Sequence, residues 1–86
     1  MNPTTEDLAL ARDLLRTCLR PASMADLIGD DDNLAHAGVD SLATIELITR
    51  CEDILGRDLT DEESTALDSV TAVARLLATG PRGQGN

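Results

Sequence analysis

The chain has no phenylalanine, tyrosine or tryptophan. Its core must be aliphatic, built from leucine, isoleucine, valine and alanine with two cysteines, and it buries less area per side chain than an aromatic core. The same absence removes any stacking platform for a nucleic-acid base. Lysine is missing too: the seven cations are all arginine, set against sixteen acids, and the net charge is −9. Such a surface repels nucleic-acid phosphates and anionic lipid, so nucleic acid and membrane are excluded as partners. A basic protein surface is its natural complement. No apolar run is long enough to span a bilayer, and Met1 is followed by Asn-Pro-Thr-Thr-Glu-Asp rather than a basic and then apolar leader. Cys18 and Cys51 form no CxxC pair. The chain reads as cytoplasmic with both thiols reduced.

What is present fits one small domain spanning residues 1–86, with an ordered core over about 5–79 and a disordered tail over 81–86. Thr4 and Thr5 are candidate caps for a first helix, with Glu6 and Asp7 in its first turn. Leu8, Ala11, Leu15, Cys18 and Leu19 follow its inner face; Arg12, Arg16 and Arg20 fall outside or near its end, and Pro21 stops it. From Pro21 to Asp40 the periodicity is weak. Met24, Leu27, Ile28 and Leu34 are the expected anchors of a long loop, and Asp30, Asp31 and Asp32 its solvated part.

The second helix opens at Asp40-Ser41, after Gly38, and meets no breaker until Gly56. Leu47, Ile48, Cys51, Ile54 and Leu55 form the stripe expected to face the core. Leu42 and Ile45 form a narrower second stripe that the core does not need, with Glu46, Thr49, Glu52 and Asp53 around it. These six residues are the candidate partner-binding surface. Thr60 with Glu63 has the spacing of a capping box for a short third helix ending near Leu67. Asp68 or Ser69 caps the last helix, whose Val70, Val73, Ala74 and Leu77 share a face, and Gly80-Pro81 ends it. The resulting fold class is all-α: a four-helix bundle of three longer helices and one short one, with a long loop between helices 1 and 2.

Several chemistries fail on composition. The only histidine, His36, precedes Ser41 by five residues, but no residue is placed to orient it and no Gly-x-Ser-x-Gly elbow is present. No catalytic residue is assigned, and the chain is not read as an enzyme. An EF-hand loop begun at Asp31 would need Gly at its sixth place and Glu at its twelfth, where His36 and Leu42 stand, so no metal site is assigned. Zinc needs more ligands than this chain can gather.

The run Gly38-Val39-Asp40-Ser41-Leu42, with Leu34 before it, Glu46 and Leu47 after it and the spacing onward to Val70, resembles the attachment site of the acyl and peptidyl carrier-protein family. The likeness covers about Leu8 to Leu77. It implies the same helical fold and a covalent 4′-phosphopantetheine on Ser41, with Asp40 as motif neighbour. It also implies a phosphopantetheinyl transferase as partner, with acyl-loading, ketosynthase or tailoring enzymes docking through basic surfaces onto a monomer. Ala43 stands where the fatty-acid type often carries an acid, which points away from primary fatty-acid synthesis. Asp40 and Glu46 lean towards acyl carrying, with polyketide or other secondary-metabolite biosynthesis as the expected setting. The alternatives are a peptidyl carrier and, from another class, a helical interaction module that is never modified. The chain is expected to be a free-standing carrier, with a domain excised from a larger synthase as the alternative.

Overall fold

A computed structural model of the chain describes residues 3–79. Its elements are α1 (Thr5–Cys18), a 3₁₀ helix (Ala22–Leu27), α2 (Ser41–Leu55), α3 (Asp61–Ala66) and α4 (Val70–Ala78). The expected three longer helices and one short one are all found. The expected tail over 81–86 and the Gly80-Pro81 stop lie outside the described residues.

Each α-helix begins where a side-chain oxygen takes the place of a missing helical carbonyl. Thr4 caps α1 by accepting from the Asp7 amide at 3.1 Å, while the Asp7 carboxylate accepts from the Thr4 amide at 3.0 Å. Thr60 and Glu63 form the same reciprocal box at the start of α3. Ser69, rather than Asp68, caps α4 through the Ala72 amide at 3.1 Å. Gly56 closes α2 at φ 72°, a left-handed conformation open to glycine without a Cβ penalty.

The core is aliphatic, with Leu15, Leu47, Leu77, Val70 and Val73 completely enclosed and Cys51 among them. α1 packs against both α4 and α2. On α2 the buried row is a strict i, i+4 series, Ala43, Leu47, Cys51 and Leu55. Two expectations are corrected along this helix. Ile54 falls off that row and is 37% exposed, and Ile48 is only partly buried at its margin.

The long loop departs further from expectation. It contains the 3₁₀ helix, whose three-residue repeat turns Ala25 and, just past its end, Ile28 inward. Leu27 is thereby displaced outward and is 85% exposed, so it is no anchor. Met24 is half-buried, while Ile28 and Leu34 are buried as expected.

The loop is held by a residue that periodicity assigned to the outside. Arg12 reaches from α1 to the carbonyls of Ala25 and Ile28 (the latter at 2.7 Å) and to the Asp30 carboxylate at 2.5 Å. The Asp30 carbonyl in turn accepts from both the amide and the hydroxyl of Thr71, at 3.0 and 3.1 Å. The Leu34 amide donates to the Asp68 carbonyl at 2.9 Å. The acidic run is therefore partly structural: Asp30 pairs with Arg12, and Asp32 accepts from the Gly29 amide at 2.8 Å.

Arg12→Ala leaves two loop carbonyls and a carboxylate without their donor, and hydrogen bonds to charged groups contribute about 1.5–3 kcal/mol each at most. The variant is expected to lose about 2–3 kcal/mol in urea unfolding. Arg12→Lys should recover only part, because an ammonium cannot reproduce the guanidinium fork.

At the far end of the domain, Arg57 grips both carboxylate oxygens of Glu63 at 2.8 Å. That pairing, reinforced by the Thr60 amide, lowers the Glu63 pKa from 4.5 to about 2. A carboxylate with a depressed folded-state pKa stabilises the fold above its ordinary pKa, and the contribution is lost as pH falls through the folded value. Glu63→Gln should therefore flatten the acid side of the stability curve between pH 4.5 and about 2, read from melting temperature against pH.

Candidate functional site

Ser41 is the first residue of α2 and is exposed. The entry to it is built by Gly38, whose φ of 104° turns the chain, and by Val39, which is buried and donates its amide to the Leu34 carbonyl at 2.9 Å. Asp40 then caps the helix, accepting from the Ala43 amide at 2.9 Å, and its carbonyl accepts from the Thr44 hydroxyl at 2.9 Å. Because Asp40 does the capping, the Ser41 hydroxyl has no hydrogen-bond duty among the described residues. It is a displayed, unengaged nucleophile at the positive end of a helix.

No base is paired with it among the described residues. His36 is exposed and its backbone amide donates to Asn33 Oδ1 at 3.0 Å, with no hydrogen bond from its ring to Ser41 among the described residues. No group of three or more metal-ligating side chains converges among the described residues. The geometry suits a hydroxyl that another protein modifies.

The candidate docking residues are distributed over the exposed side of α2. Leu42 is 78% and Ile45 59% exposed, among the most exposed large apolar side chains of the described residues. Glu46 pairs with Arg50 one turn on, at 2.9 Å. Thr49 is exposed and donates its hydroxyl to the Ile45 carbonyl, and Asp53 is exposed. Glu52 differs from the rest. Its carboxylate accepts from the Leu59 amide at 2.9 Å and so fastens the connector that follows α2.

A concave groove of about 290 Å³ adjoins the serine. It runs between the end of α1, the 3₁₀ helix and the start of α2, and both chain neighbours of Ser41, Asp40 and Leu42, line it. This groove is not legible in the sequence, since its walls come from segments about twenty residues apart. Cys18 lies on its floor.

Both thiols are held protonated. Burial pushes the Cys51 thiol up to about 11, and burial likewise raises Cys18. Neither should react with a maleimide reagent at neutral pH until the domain unfolds, because the thiolate is the reactive form and both sulfurs are enclosed. Rapid labelling of either in the native protein, read by mass, would contradict this packing.

A family model described as "Phosphopantetheine attachment site" matches residues 8–77, which runs from α1 to the last turn of α4. No curated protein and no solved structure matches the chain. The match, together with the helical bundle, identifies a non-catalytic carrier on which partner enzymes such as a phosphopantetheinyl transferase act. The chain belongs to the phosphopantetheine-attachment family, whose cofactor is a covalent 4′-phosphopantetheine.

Proposed function

We propose that Ser41 is the attachment residue and that the modified chain carries acyl groups as thioesters in polyketide or other secondary-metabolite biosynthesis. The observation that carries the assignment is the Ser41 hydroxyl: exposed, free of hydrogen bonds to the described residues, and set within Gly-Val-Asp-Ser-Leu inside the matched span. When bound, the arm supplies a terminal thiol on a flexible tether. The protein's own residues do the rest. Asp40 holds the helix start without needing the serine, so esterification there breaks no cap. The helix dipole favours an anionic phosphodiester at its first residue. No base is hydrogen-bonded to the Ser41 hydroxyl among the described residues, so its deprotonation falls to the transferase.

Leu42 and Ile45 offer apolar contact next to the serine, and Glu46 and Asp53 supply negative charge for a basic partner surface. A carrier must be bound and released repeatedly, which favours a small, charged interface of moderate affinity. Asp40 and Glu46 support acyl over peptidyl cargo, and Ala43 supports a setting outside primary fatty-acid synthesis.

Incubation with coenzyme A and a broad-specificity transferase should add one phosphopantetheinyl group to the wild type by intact mass and none to Ser41→Ala. The alanine variant should keep its helicity and melting temperature, since Asp40 still caps α2. Modified Ser41→Ala would displace the assignment; unmodified but folded wild type would favour an interaction module. Ile45→Ala and Glu46→Arg should each slow modification while changing stability by less than about 1 kcal/mol, as surface positions do. The charge reversal should act on association and fade at high salt, and the alanine change should not.

A further inference from the structure

α2 carries three acids and a single cation, Arg50, and that cation stands inside the proposed docking face. Glu46, Arg50 and Asp53 follow one another at steps of four and three residues, so they share one side of the helix. Arg50 donates from Nε at 3.3 Å and from Nη2 at 2.9 Å, both to Oε2 of Glu46. Glu46 Oε1 takes no hydrogen bond among the described residues. Every other arginine in an ion pair among the described residues joins two parts of the fold. Arg12 and Arg16 tie α1 to the loop that follows it, and Arg57 ties the connector after α2 to α3. The Glu46–Arg50 pair joins two residues of one helix. That helix already has Asp40 at its start and the left-handed Gly56 at its end, so it has little need of a further internal contact. The two side chains are 38% and 43% exposed, and a pair so solvated is readily exchanged.

We infer that Arg50 sets the strength of docking by masking Glu46 from basic partners, an inference that rests on the exposed side of α2 being the docking face. Two acids of that face are available to a partner, Glu46 and Asp53, because Glu52 is committed to the Leu59 amide. Arg50 offsets one of them and presents its own guanidinium to any basic rim. A partner cation reaching for Glu46 finds one carboxylate oxygen doubly occupied and meets a like charge beside it. It must displace Arg50 or settle for Oε1 alone. An arginine, whose planar fork spans both oxygens, recovers more of this contact than a compact lysine ammonium. The masking keeps each encounter weak, so that a partner is released as readily as it is bound. It also leaves the apolar contact through Leu42 and Ile45 untouched. Loss of Arg50 should therefore strengthen docking, the reverse of what loss of an ordinary interface residue does.

The test is the initial rate at which a broad-specificity transferase modifies the full chain with coenzyme A, followed by intact mass with the chain well below saturation. Far-UV circular dichroism first establishes that the compared chains are equally helical. At about 20 mM salt Arg50→Gln should raise kcat/KM about two- to fivefold, the range an exposed ion pair can supply, and the gain should vanish at about 500 mM. Arg75→Gln makes the net charge of −9 more negative by the same single unit, at an exposed arginine of α4 with no ion pair among the described residues. It should leave the rate unchanged. Because the masking acts through Glu46, Arg50→Gln should bring no gain in a Glu46→Gln background. An Arg50→Gln rate at or below that of the wild type, an equal gain in Arg75→Gln, or a gain that survives Glu46→Gln overturns the masking. If Arg50→Gln changes nothing while Glu46→Arg still slows modification, the masking falls and the docking face stands. If neither substitution changes the rate, both fall. No mass gain in the wild type overturns the attachment reading itself.

Discussion

The guanidinium of Arg12 is the point on which the rest of the structure depends. A loop of some twenty residues between α1 and α2 buries Ala25, Ile28, Leu34 and Val39 but has carbonyls to satisfy that no regular helix takes up. One side chain from α1 accepts that task for the Ala25 and Ile28 carbonyls and adds the Asp30 carboxylate. Asp30 then passes the constraint to α4 through Thr71, and Leu34 passes it to the α3–α4 junction through Asp68. Only with the loop fixed at these points does the turn at Gly38 deliver Asp40 and Ser41 in a defined position. A planar, permanently charged fork is suited to this, because it can satisfy several acceptors at once with little further loss of side-chain freedom.

α2 divides two kinds of work between its faces. The row Ala43, Leu47, Cys51 and Leu55 supplies burial, and it is narrow enough that Leu42 and Ile45 remain in solvent at little cost to the core. A helix with a wider buried stripe would have consumed them. The acids of the helix are likewise not equivalent. Glu52 is tied to the Leu59 amide, Glu46 is shared with Arg50, and Asp53 is the least encumbered of the three. Recognition by a basic partner would accordingly draw on Asp53 and on a readily exchanged Glu46 pair before it disturbed Glu52.

How much could be read from the sequence follows from how local each determinant is. The caps at Thr4, Asp40, Thr60 and Ser69 act over three residues, so residue type and spacing suffice to place them. Ser41 was legible for the same reason, since its exposure follows from its place at a helix start. Arg12 was not legible, because its partners lie thirteen to eighteen residues away and two are backbone carbonyls that every sequence possesses. Leu27 and Ile54 were misplaced because an apolar residue next to a buried row looks like a member of it. The short repeat of the 3₁₀ helix decided the first, and the strict four-residue row of α2 decided the second. The groove beside Ser41 is a property of three converging segments and has no counterpart in any one of them.

The two enclosed sulfurs bear on the fidelity of the cargo. A thioester is exposed to attack by any thiolate that can reach it, and exchange onto a cysteine of the same chain would strand the carried group where no partner enzyme could collect it. Cys18 lies at the floor of the groove nearest the serine, within reach of such a mishap if it were ionised and open. Its burial, and the still deeper burial of Cys51, hold both as neutral thiols. An aliphatic core that uses cysteine as a small hydrophobe thus also keeps the one reactive sulfur of the loaded protein at the end of its arm.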